Sequence, residues 1–354
     1  MPRPIQARID LSALERNLQV VRRASSARIM AVIKANAYGH GLLRAAEALN
    51  EAEGFALLDI RDAIRLRDAG FSQTILLLEG FFTPDDLPLM AEYDLACVIH
   101  NQQQIDMLEA YPKRRGLEAW LKIGTGMNRL GFAPDQFSAA MQALKKHRAV
   151  RDITLMTHFA HADDSTGVAA QLNVFNELSA PYRMPRSLAN SAALLRYPAT
   201  HADWVRPGIM LYGASPFVEN SAQQLGLRPV MTLESRIIAV QELSPGEGIG
   251  YGGTFRAESL MRIGVVACGY ADGYPRHAPT GTPILVDGQR TCILGRISMD
   301  MLTVDLTALS AADVGSSVTL WGEGLPVEQV AHAANTISYE LLCALTERVP
   351  IVTV

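Results

Sequence analysis

Charge is scarce in this chain of 354 residues: Asp, Glu, Lys and Arg make up 19%, against the usual quarter of a globular protein. The net charge is −4 and no basic stripe is present, which excludes a surface built to neutralise nucleic-acid phosphates. Long apolar runs are missing as well. None approaches the ~18 residues that a membrane-spanning helix needs, so no membrane partner is expected. The first ten residues lack the apolar core of a secretory leader, and the expected location is the cytoplasm. Cysteine is rare: Cys97, Cys268, Cys292 and Cys343 form no C-x-x-C pair. That pattern suits a reduced compartment, and each is expected to be buried and inert. The 27 Gly and 18 Pro show no collagen-like period, which excludes a fibre. What is plentiful is apolar residue, at 49%. That excludes a disordered chain. At this length it supports roughly two domains with a core that needs no staples.

The first two thirds alternate short apolar runs with amphipathic stretches. The runs are 29–33, 55–60, 74–78, 95–99, 117–123, 153–157, 186–189 and 204–211. Between them, 42–50, 61–69, 102–110, 135–146, 169–178 and 191–197 read as helices, with apolar residues three and four apart. Eight strand-then-helix repeats are the arithmetic of a (β/α)₈ barrel of the TIM type. An open doubly wound sheet would alternate with fewer repeats. The expected fold is therefore α/β, a barrel over 1–229. After residue 230 the helical period gives way to short runs at 235–240, 263–268, 283–286, 291–294, 302–304 and 318–321, divided by turns such as Asp287-Gly288. This predicts a mostly β domain over 230–354, with one late helix at 328–335.

A barrel collects its function at the C-terminal ends of its strands. The first run ends in Lys34. Burying an ammonium there lowers its pKa, as a Schiff-base or general-base lysine requires; a lysine that snorkels to solvent is the bland alternative. The fifth run ends at Lys122 with Arg129 one loop away, and the sixth leads into His158, His161, Asp163 and Asp164. A metal is not expected there, because Lys34, Lys122 and Arg206 occupy the strand ends where further ligands belong. Ser191 stands where an N-cap is expected, ahead of an apolar helical run. The same place suits an anion, as do the loops after the last two barrel strands, where Gly208 permits close backbone approach. In the second domain, Gly248-x-Gly250-x-x-Gly253 matches a dinucleotide fingerprint by spacing alone. The fingerprint must open a helix, and here a strand-like run follows. Five glycines around Tyr251 instead describe a backbone bent to present that ring.

Taken together, these segments resemble the alanine racemase family of fold-type III enzymes, which use pyridoxal 5′-phosphate. The resemblance rests on Ala31 to Gly41 (AVIKANAYGHG), Gly248 to Gly253 (GIGYGG) and Ser298-Met299-Asp300, and runs to Tyr339. It implies a cofactor-bearing barrel, a β domain, and a homodimer in which each subunit's β domain completes the other's active site. By this resemblance Lys34 is the Schiff-base lysine, and Tyr38, Ser191, Gly208, Ile209 and Tyr339 cradle the phosphate. Arg206 partners the pyridine nitrogen, and His158 links it to Tyr251. Arg129 touches cofactor and substrate carboxylate, braced by Lys122, which is carbamylated in several members; the loop after Lys122 lacks the acidic residue of some relatives. Met299, through its backbone N–H, and Asp300 form the substrate-carboxylate end, with Tyr270 beside them.

The implied reaction interconverts L- and D-alanine, for peptidoglycan precursors or alanine breakdown. Lys34 would serve the D-side proton and Tyr251 the L-side proton. A free tyrosine, with a pKa near ~10, needs a stabilised anion to act as a base. Tyr270 and Tyr339 would narrow the mouth to admit a methyl side chain. Alternatives are a broad-specificity amino-acid racemase, a pyridoxal-dependent decarboxylase and a non-enzymatic cofactor carrier. The decarboxylase should set an acid against the pyridine nitrogen, where Arg206 stands. The carrier would leave Tyr251 and the last ~120 residues without purpose.

Overall fold

The computed structural model describes residues 3–109, 111 and 116–354. The chain opens with strand β1 (Gln6–Ile9) and helix Leu11–Ala24, both ahead of the first expected run. There follow β2 (Arg28–Val32), β3 (Gly54–Leu57), β4 (Thr74–Leu77), β5 (Leu95–Ile99), β6 (Leu117–Lys122), β7 (Val150–Met156), β8 (Arg186–Ser187) and β9 (Trp204–Val205). These eight strands close into a parallel barrel, in sequence order, with β9 returning to β2. Residues of β3 and β5 are buried throughout, because strands of a closed barrel are covered on both faces and so read as continuous apolar runs. The helices between them bury a stripe. In Pro134–Lys146, Phe137, Ala140, Met141 and Leu144 face inward, Pro134 starts the first turn, and Lys145 and Lys146 end the last. The helix expected at 102–110 is Gln102–Glu109, and residue 110 lies outside the described residues.

Two boundaries differ from expectation. The run 204–211 is not one strand: β9 stops at Val205, and Ile209–Tyr212 is a 3₁₀ turn. Pro207 has no N–H to extend a ladder. Helix Ser191–Arg196 is capped by Asn190, whose side chain accepts from the Ala193 N–H, so Ser191 is the first helical residue and not the cap.

The second sheet comes from β10 (Met231–Leu243), β13 (Met261–Val266), β14 (Pro283–Val286), β15 (Gln289–Leu294), β16 (Leu302–Asp305), β17 (Ser317–Trp321) and β18 (Ile351–Thr353). Between β10 and β13, the short pair β11 (Gly248–Ile249) and β12 (Phe255–Arg256) forms its own ribbon. The order is β13-β16-β15-β14-β17-β10-β1-β18, and β13 also pairs with the later half of β10. The first strand thus pairs with Met231–Glu234 on one side and with the last strand on the other. The late helix expected at 328–335 is Val327–Ala333, and a second, Ser338–Cys343, follows it. The chain divides into two contact units that are not contiguous in sequence. One joins residues up to Leu14, Tyr38–His40 and Tyr212–Val354; the other joins Glu15–Ala37 and Gly41–Leu211. Among the described residues no helix is long and apolar enough to cross a membrane. Cys97 and Cys268 are buried, Cys292 is half-buried, and Cys343 is exposed, unlike the burial expected of all four.

Candidate active site

Lys34 lies two residues beyond β2. The backbone then does something rare. Ala35, Asn36, Ala37 and Tyr38 all take left-handed φ, at 53°, 53°, 54° and 52°. Such a conformation costs an L-residue about 1–2 kcal/mol and normally occurs singly. The turn is held from both sides: Ala37 N–H donates to Ile33 O, Gly41 N–H to Asn36 O, and Leu42 N–H to Asn36 Oδ1, each at 2.9 Å.

Arg206 follows β9 and is only 4% exposed. Its Nη1 donates to Ser187 Oγ at 2.6 Å, and its Nη2 to Thr157 O at 2.6 Å and Leu188 O at 3.2 Å. All three acceptors are neutral, and among the described residues no carboxylate pairs with this buried cation. His158 is not among its hydrogen-bond partners. Burial brings the guanidinium down to about 10, so it stays protonated at neutral pH. Thr157 is itself fixed: its hydroxyl meets Thr125 Oγ1 at 2.7 Å and donates to Ile123 O at 2.9 Å. Gln171, on helix Ala169–Ser179, ties the same loop. Its Nε2 donates to Thr125 Oγ1 and His158 O at 3.2 Å, and its Oε1 accepts from Ala160 N–H at 2.8 Å. Sequence reading passes over Thr125, Thr157, Gln171 and Ser187, since neutral polar residues carry no charge signal. A buried glutamine on the apolar side of a helix is the clue that could have found one of them.

Electrostatically the barrel rim is lopsided. Burial lowers Lys122 to about 8, helped by Arg206, Arg129 and Lys34, while Glu79 pulls the other way. His158 is held well below its usual range by burial and then by Arg206, Lys122, Arg129 and Lys34, so its ring is neutral. Four cations therefore share the field at the C-terminal ends of β2, β6 and β9. His161 stands apart, pairing with Asp164 at 2.7 Å on the surface. Ser191 is buried and accepts from the Gly208 N–H at 2.9 Å, which brings the loops after β8 and β9 together.

In the sheet unit, Tyr38 stacks on Tyr212 at 4.6 Å and approaches Tyr339 at 5.9 Å between ring centroids. Burial raises the Tyr38 pKa, so its hydroxyl keeps its proton. Tyr251 sits in a 3₁₀ turn among Gly250, Gly252 and Gly253, which take φ of 63°, 78° and 51°. The ring is 71% exposed. The expectation that the glycines shape a presenting turn and open no helix is met. Met299 and Tyr270 are exposed at 52% and 38%. The Asp300 carboxylate is taken by Arg348 at 2.5 Å.

A closed parallel barrel with a lysine beyond its first strand, a cationic C-terminal rim and a separate mixed sheet defines a barrel enzyme with a mostly β C-terminal domain. The alanine racemase N-terminal domain family matches residues 9–216, and the alanine racemase C-terminal domain family matches 230–353. The alanine racemase of Nitrosospira multiformis is 62% identical over 357 residues, covering 100% of both chains. That of Nitrosomonas eutropha is 59% identical, again over 100% of both. The crystal structure of the biosynthetic alanine racemase from Pseudomonas aeruginosa is 46% identical, covers 99% of each chain and superposes with a TM-score of 0.97. That from Acinetobacter baumannii is 38% identical, covers 99% of this chain and 100% of its own, and has a TM-score of 0.93. The chain belongs to the alanine racemase family, a family of isomerases.

Proposed function

We propose that this chain interconverts L- and D-alanine with pyridoxal 5′-phosphate, by two bases drawn from two copies of itself. The observation that carries the reading is the cationic field that Lys34, Lys122, Arg129 and Arg206 set up at one end of the barrel, opposed at Lys122 by Glu79. Such a field suits a phosphate-bearing cofactor and a carboxylate substrate. Lys34 would hold the cofactor's aldehyde. Ser191 Oγ and the N–H groups of Gly208 and Ile209 would bind its phosphate, and the resemblance adds the Tyr38 and Tyr339 hydroxyls. When bound, the cofactor would supply an electron-withdrawing group that acidifies the α-hydrogen of an amino-acid substrate.

Lys34 Nζ exchanges that proton on one face, and Tyr251 Oη of a second copy exchanges it on the other. An exposed Tyr251 on a glycine turn supports that assignment, since most of its surface is open to a second copy. Arg206 tunes the reaction by keeping its proton. Even at about 10 it gives none to a ring nitrogen near neutral pH, so electron withdrawal stays modest and the proton returns to Cα. Arg129 orients the carboxylate, met from the other side by the Met299 N–H and Tyr270. Lys122 at about 8 keeps roughly a tenth of its amine neutral at pH 7. That form adds carbon dioxide at Nζ with loss of a proton, and the resulting anion would brace Arg129. A carbamate resonance from labelled bicarbonate, absent in Lys122→Ala, tests this step.

The 46% identity to an enzyme described as biosynthetic favours supply of D-alanine over its breakdown. No membrane-spanning helix is present among the described residues, which accords with a cytoplasmic enzyme. The test is chiral analysis of L-alanine incubated with the protein and pyridoxal 5′-phosphate. Equal amounts of the two enantiomers from wild type, and none of the D-form from Lys34→Ala, are expected. Persistent L-alanine with wild type overturns the reading.

A further inference from the structure

We infer that Arg3, Asp272 and Arg348 form a positioning clamp that sets Met299 and Tyr270 for the substrate carboxylate. The inference rests on the reading of those two residues given above, and deepens it. Asp272 is fully buried. Its Oδ1 meets Arg3 Nη1 at 2.5 Å and Arg348 Nε at 3.4 Å. Its Oδ2 accepts from Arg3 Nη2 at 3.0 Å and from the Gly269 N–H at 2.9 Å. Each arginine then reaches on to the same neighbour. Arg3 Nη2 donates to Asp300 O at 2.8 Å, and Arg348 Nη2 to Asp300 Oδ1 at 2.5 Å. Four residues from four distant segments thus make one closed polar ring.

The ring couples two short pieces of chain. The turn Tyr270–Asp272 donates its Tyr270 and Ala271 N–H groups to Ser298 O and Met299 O, at 3.1 and 3.0 Å. A Cβ on Gly269 would lie 2.4 Å from both of those oxygens, so only glycine allows the approach. From behind, Thr346 N–H donates to Asp272 O and Thr346 Oγ1 to Ala271 O. The turn takes the Ser298 and Met299 carbonyls and Arg3 the Asp300 carbonyl, while the Met299 N–H is unbonded among the described residues. That N–H is the group a carboxylate can take.

The charges explain why the clamp positions and does not itself bind. Two aspartates offset two arginines, so the ring has little net field to attract an anion. A buried carboxylate needs a partner, yet one arginine would suffice for Asp272. The second function of both guanidiniums is the bridge to Asp300, a geometry that a planar fork makes and a lysine does not.

Arg3 and Arg348 have side chains 36% and 41% exposed, so each can be changed without emptying a core. Arg3→Gln and Arg348→Gln are expected to raise KM for alanine about tenfold, the scale of one misaligned charge-assisted contact. The inhibition constant for propionate, the substrate without its amine, should rise by the same factor. The kcat, cofactor absorbance and melting temperature should stay near wild type, and Arg348→Lys should recover little of the loss. Wild-type KM and propionate inhibition in both glutamine variants overturn the clamp. So does a fall in kcat that merely tracks a lowered melting temperature. Failure of wild type to racemise alanine would instead sink the functional reading, and is seen before any variant is made.

Discussion

The Arg206 guanidinium is bound by the Thr157 carbonyl at 2.6 Å, and Thr157 immediately precedes His158. The cation that ends β9 is thereby locked to the loop that ends β7, with Ser187 of β8 on its other nitrogen at 2.6 Å. Three consecutive barrel strands share one guanidinium. Replacing it with a carboxylate puts an acceptor where three acceptors already point. Arg206→Glu is expected to slow racemisation by about a hundredfold. It should also divert turnover toward pyruvate, because an acid in this place can share its proton with a ring nitrogen. Chiral analysis and a pyruvate assay on the same sample read both effects. Unchanged partitioning between them would contradict the role given to Arg206.

Gln171 is predicted to matter for stability first. In Gln171→Leu the Ala160 N–H and His158 O lose their partner inside the barrel loops. An orphaned buried group costs about 1–3 kcal/mol, so chemical denaturation should show a loss of that size. Wild-type stability in this variant would mean the network is replaced by solvent.

Lys122 gives a pH dependence with a definite sign. Its folded pKa lies at about 8, below the ordinary 10.5, chiefly through burial. As pH falls from 10.5 the unfolded chain takes up the proton first, so stability drops until about pH 8 and is level below it. In buffer free of carbon dioxide, Lys122→Met should remove this slope and raise stability at pH 7. A slope that persists in the variant would assign it to another group.

The left-handed turn after Lys34 predicts a stabilising substitution. Ala35 has φ 53° and is exposed. Glycine adopts that conformation freely but loses more chain entropy on folding. The balance favours Ala35→Gly by about 0.5–1 kcal/mol, seen as a higher denaturation midpoint. A lower midpoint would show that the turn is not strained at Ala35.

The barrel was legible where burial on both faces leaves continuous apolar runs, as in 29–33 and 95–99. It was least legible at β8 and β9, two residues each, where Pro207 and Gly208 blur the end of a strand. Strand β1 gave no local sign of its place, because its partners near Glu234 and Ile351 lie more than two hundred residues away. The charged site residues could be picked out because a lysine or arginine at the end of an apolar strand is unusual. Their neutral partners, Thr157, Ser187 and Gln171, could not. The pairing of Asp300 with Arg348 is likewise invisible to local reading, because the two lie 48 residues apart. Asn190 and Ser191 are both good caps by residue type; only the bond to Ala193 decides between them.

The shared pair of proton carriers is tested most directly by mixing two dead variants. Lys34→Ala and Tyr251→Phe should each be nearly inactive alone. On the proposed homodimer, co-expression would give mixed dimers in which one site has both intact groups, so activity should return to about a quarter of wild type with random pairing. If the mixture stays as inactive as its components, Tyr251 does not act across the dimer, and the account fails.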